Sequence, residues 1–298
     1  MSAAAAPAPP SVWLRAMPGI FVLIWSTGFI VARYGMPYAP PMKFLAVRFA
    51  LSLLCFGAWV AVARVPGPSR RAQWLHLAVT GVLMQAGYLG GVWGAVKVGM
   101  GSGLSALLVS IQPVLTAIWL SAWGGQVSRR QWVGLGLGFA GLVMVVWRKL
   151  GQGGEVTPES MSLALLALLS ITAGTLYQKR FVAPCDVRTA SMVQLAAALV
   201  VSLPFALLEP DAMQWNAHSL GAMAWSVLAL TLGGSSLLYL LIQRGSATSV
   251  TSLLYLVPPC TALMAWLLFG EPITAVTLAG IAVTAIGVSL VVREQRQA

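Results

Sequence analysis

The sequence predicts an all-α integral membrane protein in which ten transmembrane helices form two inverted five-helix repeats. Three observations lead there. Of 298 residues, 58% are hydrophobic and 8% charged, against roughly 25% charged in soluble domains, so there is too little polar surface to cover a water-soluble globule. The apolar residues gather in runs near the length of about 20 residues that a spanning helix needs. The chain also repeats itself at a shift of 146 residues: Gly28, Gly99, Pro113, Gly124, Gly134 and Gly141 meet Gly174, Gly245, Pro259, Gly270, Gly280 and Gly287 without a gap. Matched glycines and prolines mark backbone fixed by packing or kinking, which implies two similar bundles.

The elements follow in order. Residues 1–16 are rich in Ala and Pro, form no clear cleavage site and lead into a run longer than a signal peptide's apolar core. They predict a disordered cytoplasmic tail ahead of an uncleaved first span. The first repeat, residues 17–147, holds the runs Met17 to Tyr34, Phe44 to Ala63, Trp74 to Val96, Gly101 to Trp123 and Trp132 to Trp147. Residues 148–161, with Gly151, Gly153, Gly154 and Pro158, form the linker. The second repeat, residues 162–292, holds Ser162 to Gln178, Ser191 to Leu208, Leu220 to Gln243, Thr248 to Phe269 and Thr274 to Val292, and residues 293–298 form a second cytoplasmic tail. The runs lack strict alternation and exceed the about 9 to 11 residues of a barrel strand, so they are helices. Five spans per copy is an odd number, which turns the second copy upside down.

Charge agrees with that inversion. At the 146-residue shift Arg64, Arg70, Arg71, Arg129 and Arg130 become Pro210, Asn216, Ala217, Ala275 and Val276, whereas Arg180, Arg188 and Arg244 face Tyr34, Met42 and Val98. With the N-terminus inside, the inner segments hold Arg15, Arg64, Arg70, Arg71, Arg129, Arg130, Lys179, Arg180, Arg188, Arg244, Arg293 and Arg296. The outer ones hold Arg33, Lys43, Lys97, Arg148 and Lys149. Twelve against five predicts both termini in the cytoplasm and a multi-pass protein of the inner or plasma membrane. The net charge of +11 is therefore a topology signal, and no nucleic-acid partner is expected.

Several motifs are similar to those of the drug/metabolite transporter superfamily, and within it the EamA-type ten-helix exporters. They are Trp25-Ser26-Thr27-Gly28-Phe29 in the first span, Arg48-Phe49 in the second, the stretches Ser105 to Pro113 and Ser252 to Pro259, Gly270-Glu271 after the ninth span, and Gly280 with Gly287 in the tenth. The resemblance covers nearly the whole chain. It implies two inverted five-helix repeats around a central cavity that moves small metabolites, often amino acids, outward. The first copy departs from the pattern, with Gly124-Gly125-Gln126 where the second has Gly270-Glu271-Pro272.

Candidate site residues come from polar, aromatic and helix-breaking positions inside the runs. Pro113 and Pro258-Pro259 each remove a backbone donor near mid-span and release carbonyls one turn earlier, which at membrane depth need a partner or a wet cavity. Ser110 and Gln112 flank the first break. Trp25, Gln85, Tyr88, Trp93, Tyr177, Tyr239 and Tyr255 offer flat faces and polar atoms for a ligand, and Trp93 and Tyr239 are equivalents at the 146-residue shift. The expected cavity is lined from the first, third, fourth, sixth, eighth and ninth spans. Arg48 is the only firmly intramembrane charge; it either snorkels or bonds a neighbouring helix, or it holds a substrate carboxylate. Glu271 either couples transport at the outer mouth or favours the start of the tenth helix through its dipole.

No span contains Asp or Glu, which disfavours cationic cargo, and a single Arg is thin provision for phosphate. A neutral or zwitterionic solute, an amino acid or related compound, fits best. The expected partners are the lipid bilayer and a small-molecule substrate, with a coupling proton or counter-substrate left open along with the oligomeric state. Cys55, Cys185 and Cys260 are odd in number, and His76 and His218 fall near opposite membrane faces. Neither a metal nor any other cofactor is expected, and nothing rises to catalysis.

Overall fold

The computed structural model describes residues 12–122, 128–150, 156–244 and 253–295, and all regular structure among these is helical. We number the segments α1 (Val12–Gly35), α2 (Pro41–Ala63), α3 (Arg71–Lys97), α4 (Ser102–Val109 and Gln112–Ala122), α5 (Arg129–Leu150), α6 (Pro158–Phe181), α7 (Val187–Leu208), α8 (Ala217–Trp225, Ser226–Ser235 and Ser236–Arg244 in continuous succession), α9 (Val257–Phe269) and α10 (Ala275–Gln295). Seven of them, α1 to α4 and α6 to α8, are long and apolar enough to cross a membrane. The apolar stretches described in α5, α9 and α10 are shorter: Trp132–Val145, Val257–Phe269 and Ala275–Gly287.

Local chemistry sets several boundaries. Thr157 and Asn216 open α6 and α8 with reciprocal caps, each exchanging hydrogen bonds with the serine three residues on, Ser160 and Ser219. Asp186 opens α7 by accepting from the Arg188 amide. Gly270 closes α9 in the left-handed region at φ +66°.

The 146-residue period reappears in three dimensions. In α3 the stretch Val82–Gly87 is π-helical, and so is Ser226–Ser235 in α8, around its counterpart. The fourth segment breaks at Ser110-Ile111, whose counterparts Leu256-Val257 sit at the join between the 3-10 turn Leu254–Leu256 and α9. Pro113 and Pro258-Pro259 lie in the first turn of the helix after each break, where a missing amide costs nothing. They therefore start helices rather than interrupt them. Packing repeats too: Gly28 lies against Leu230, and their counterparts Gly174 and Met84 lie against each other.

Two pairs of equivalent helices run antiparallel. The α2 start meets the α7 end, where the Glu209 carboxylate accepts from the amides of Met42 and Lys43 at 2.9 and 2.8 Å. The α2 end meets the α7 start, with the Arg188 guanidinium over the Trp59 ring. In α5 and α10 a Cβ on Gly141 would stand 2.6 Å from the Gly280 carbonyl, and one on Gly287 2.5 Å from that of Gly134. The glycine faces thus bring two backbones together.

Candidate functional site

A small cavity lies between α1, α2, α3 and α8, lined by Trp25, Gly28, Phe29, Arg48, Met84, Gln85, Tyr88, Leu89, Val92, Trp93, Leu230 and Ser235. Its volume of about 30 Å³ admits a water or two and no metabolite, so the walls are drawn together here. The π-helical stretches supply much of the wall: Gln85 comes from one, Leu230 from the other. A widened turn of this kind redirects side chains and recurs at functional positions.

Arg48 is 2% exposed. Its Nε donates to the Thr231 hydroxyl at 3.0 Å, and that hydroxyl donates to the Ser226 carbonyl five residues earlier, a span the π-helical turn accommodates. The guanidinium carbon lies 5.8 Å from the Trp93 ring centroid, within cation-π range. Trp93 packs in turn on Phe44, ring centroids 4.6 Å apart. The guanidinium Nη1 is buried without a hydrogen-bond partner. Of the two readings that remove Arg48 from the cargo, snorkelling gives way to a helix-helix hydrogen bond, because the side chain turns into the bundle.

The aromatic wall continues with Trp25 and Tyr88, whose rings lie parallel with centroids 6.1 Å apart. The motif around Trp25 ties α1 to the second repeat. The Ser26 carbonyl accepts from Thr261 of α9 at 3.3 Å, and the Thr27 hydroxyl accepts from the Trp225 indole at 2.9 Å.

Five sequence candidates, Trp25, Arg48, Gln85, Tyr88 and Trp93, therefore share one cavity. Others stand elsewhere. Ser110 turns its hydroxyl onto the Leu107 carbonyl at 2.6 Å, and Gln112 donates to Thr175 at 3.0 Å and joins α4 to α6. Tyr177 shares a 2.8 Å hydrogen bond with His76 Nδ1. Tyr239 meets the Cys185 sulfur at 3.0 Å and borders a separate pocket with Gln178 and Gln243. The Tyr255 side chain lies outside the described residues. Trp93 and Tyr239, equivalent at the 146-residue shift, thus line different pockets. Among the described residues, α4, α6 and α9 contribute no wall although they were expected to line the cavity, and α2 does. Thr231 was missed although the repeat marks it, being the counterpart of Gln85.

Glu271 is held at the opposite flank of α4. Its carboxylate accepts from the Ser102 amide at 3.2 Å and approaches that of Gly103 at 3.5 Å. It serves the first turn of α4, a different helix from the one whose dipole the sequence assigned it. Glu209 does the same for α2. Both carboxylates satisfy amides that a helix start leaves open, and both bridge the repeats.

Comparison with known proteins places this geometry. The EamA-like transporter family model matches residues 19–147 and again residues 159–293. The chain belongs to the EamA-like transporter family. It is 26% identical over 281 residues to the uncharacterized transporter YvbV of Bacillus subtilis, covering 91% of this chain and 88% of that one. The uncharacterized inner membrane transporter YedA of Escherichia coli is also 26% identical, over 90% and 87% of the two chains. A probable amino-acid metabolite efflux pump of Salmonella typhimurium is 24% identical over 88% of each. A solved crystal structure superposes with TM-score 0.68 at 18% identity, covering 94% of this chain and 97% of its own, which establishes the shared fold. This EamA-family chain is thus a multi-pass membrane transporter rather than an enzyme, surrounded by lipid and handling a small molecule.

Proposed function

We propose that this protein is a secondary transporter that exports a small neutral or zwitterionic metabolite, an amino acid or related compound, by alternating access. Ten spans form two inverted five-helix repeats, and both termini lie in the cytoplasm. The observation that carries this reading is the antiparallel pairing of equivalent helices, α2 with α7 and α5 with α10. Antiparallel equivalents are what inversion produces. Two matched halves that rock about a shared site supply alternating access with one set of contacts.

The two ends differ in charge, which supports the orientation. Tyr38 accepts from the Gln214 amide at 2.8 Å, and the Glu209 cap lies at the same end. At the other end Ala183 accepts from Gln73 at 2.8 Å, amid Arg64, Arg70, Arg71, Arg180 and Arg188. The basic end is the cytoplasmic one under the positive-inside rule. Export of an amino-acid-like solute is supported by the efflux-pump names of two relatives, from Salmonella typhimurium and Escherichia coli, and by spans without carboxylates.

The test is counterflow in proteoliposomes preloaded with a mixture of unlabelled amino acids, followed by uptake of each labelled one. The expected result is a transient, saturable overshoot for at least one of them. Linear flux without saturation is the signature of a pore and would contradict the carrier reading.

A further inference from the structure

We infer that Arg48 is a carboxylate clamp, so that the cargo is an amino acid or related carboxylate-bearing zwitterion with an apolar body, held by its carboxylate on the guanidinium and by its body against Trp25 and Tyr88. This deepens the transporter reading and rests on it. The first ground is charge balance. A guanidinium at 2% exposure inside a membrane-spanning bundle is costly unless compensated, and the apolar runs supply no Asp or Glu to compensate it. The compensating anion has to arrive with the cargo.

Geometry is the second ground. The Thr231 hydroxyl holds Nε, and the Trp93 ring supports the guanidinium face. Neither takes Nη1, which stays buried and unpartnered beside the cavity. A side chain fixed on one edge and one face, with a donor left over, has already lost the rotamer freedom that binding would otherwise remove. A carboxylate matches the planar fork with two parallel hydrogen bonds, which neither an amine nor an alcohol does. An amine with no carboxylate of its own would meet like charge with no acid to offset it. Beyond the guanidinium the wall is aromatic and aliphatic, with Phe29, Leu89 and Val92 beside the Trp25 and Tyr88 rings, so the rest of the cargo meets apolar surface. The amide of Gln85 and the hydroxyl of Ser235 are further polar groups of the wall, and the amide can serve an amino group or a hydroxyl. The walls must part by more than the present about 30 Å³ for cargo to enter, which is the motion that alternating access requires.

The experiment uses two matched trios of probes with the full-length protein in lipid nanodiscs and proteoliposomes. One is L-phenylalanine, 3-phenylpropionate and phenethylamine; the other is L-leucine, 4-methylpentanoate and isopentylamine. Binding is read as a shift in thermal unfolding midpoint and as a change in tryptophan fluorescence, and transport as counterflow. The members with a carboxylate are expected to bind at least tenfold more tightly than the amine of the same body, since a hydrogen-bonded charge contact is worth about tenfold or more. Arg48→Gln should abolish that preference. Thr231→Ala should weaken carboxylate binding while keeping the preference, because the guanidinium remains. Should Arg48→Gln fold poorly, the amine-against-carboxylate ratio in the wild type decides alone. Equal response to acid and amine, no response to any carboxylate in either trio, or wild-type carboxylate affinity in a folded Arg48→Gln variant overturns the clamp. Carboxylate binding with no counterflow upholds the clamp and removes the carrier reading instead.

Discussion

At the scale of single residues, glycines record where helices touch, and they do so unequally. A Cβ on Gly28 would meet the Leu230 side chain at 3.6 Å, an ordinary contact. On Gly91 it would stand 2.5 Å from the Leu163 carbonyl and 2.8 Å from the Ala167 amide nitrogen, both backbone atoms of α6. Side chains yield and paired backbones do not. Gly28→Ala is therefore expected to fold with near-native stability. Gly91→Ala should lose about 1–3 kcal/mol through separation of α3 from α6, read as a lower thermal midpoint of the purified protein. Residue chemistry was partly legible beforehand. Arg48, Trp25, Gln85, Tyr88 and Trp93 stand out in sequence as polar or aromatic groups in apolar runs, and the cavity gathers all five. Ser110, Gln112, Tyr177 and Tyr239 look the same in sequence, yet the Ser110 hydroxyl, the Gln112 amide nitrogen and the two tyrosine hydroxyls bond groups outside the cavity. Composition at a position does not say whether a hydroxyl faces a cavity or a carbonyl.

Among the elements, the helix starts carry the informative charges. The Glu271 carboxylate reaches the first amides of α4 from the loop after α9. Glu271→Gln keeps an acceptor and loses the charge, so a destabilisation of about 0.3–1 kcal/mol is expected. Glu271→Ala loses both and should cost about 1 kcal/mol or more. If the carboxylate is a cap and no more, counterflow by Glu271→Gln keeps its pH dependence; a flattened pH profile would give it the coupling role. Asp186 caps α7 beyond the span, and the hydrogen bond from the Arg188 side chain holds its carboxyl below the ordinary carboxylate range. The folded state thus binds the proton less readily than the unfolded chain, so this stabilisation is present above the ordinary carboxylate pKa and disappears as pH falls through the lowered one. Asp186→Asn should therefore be less stable than wild type at neutral pH, with the difference closing in strong acid, read as thermal midpoints across that pH range. Most element boundaries were legible to within a few residues because hydropathy and capping residues mark them; the ninth run, expected from Thr248, is described as an α-helix only from Val257. The π-helical stretches were not, since the widened turn is set by contacts across the bundle.

For the molecule as a whole, the repeat was the clearest message in the sequence. Matched glycines at 146 residues foretell matched contacts, and Gly28 on Leu230 with Gly174 on Met84 supplies them. Equivalent aromatics do not share a wall, since Trp93 lines the cavity and Tyr239 borders a separate pocket. Met84 and Leu230 are equivalents that both line the cavity. Inversion is thus the claim on which the placement of the site, the sidedness of the caps and the transport cycle all depend. It is tested most directly by labelling two equivalent positions, Arg129→Cys and Ala275→Cys, each in a background where Cys55, Cys185 and Cys260 are serine and Arg130 is retained. In intact cells a membrane-impermeant maleimide should modify the cysteine at 275 at once and the one at 129 only after the membrane is permeabilised. Labelling of both from the same side would contradict it.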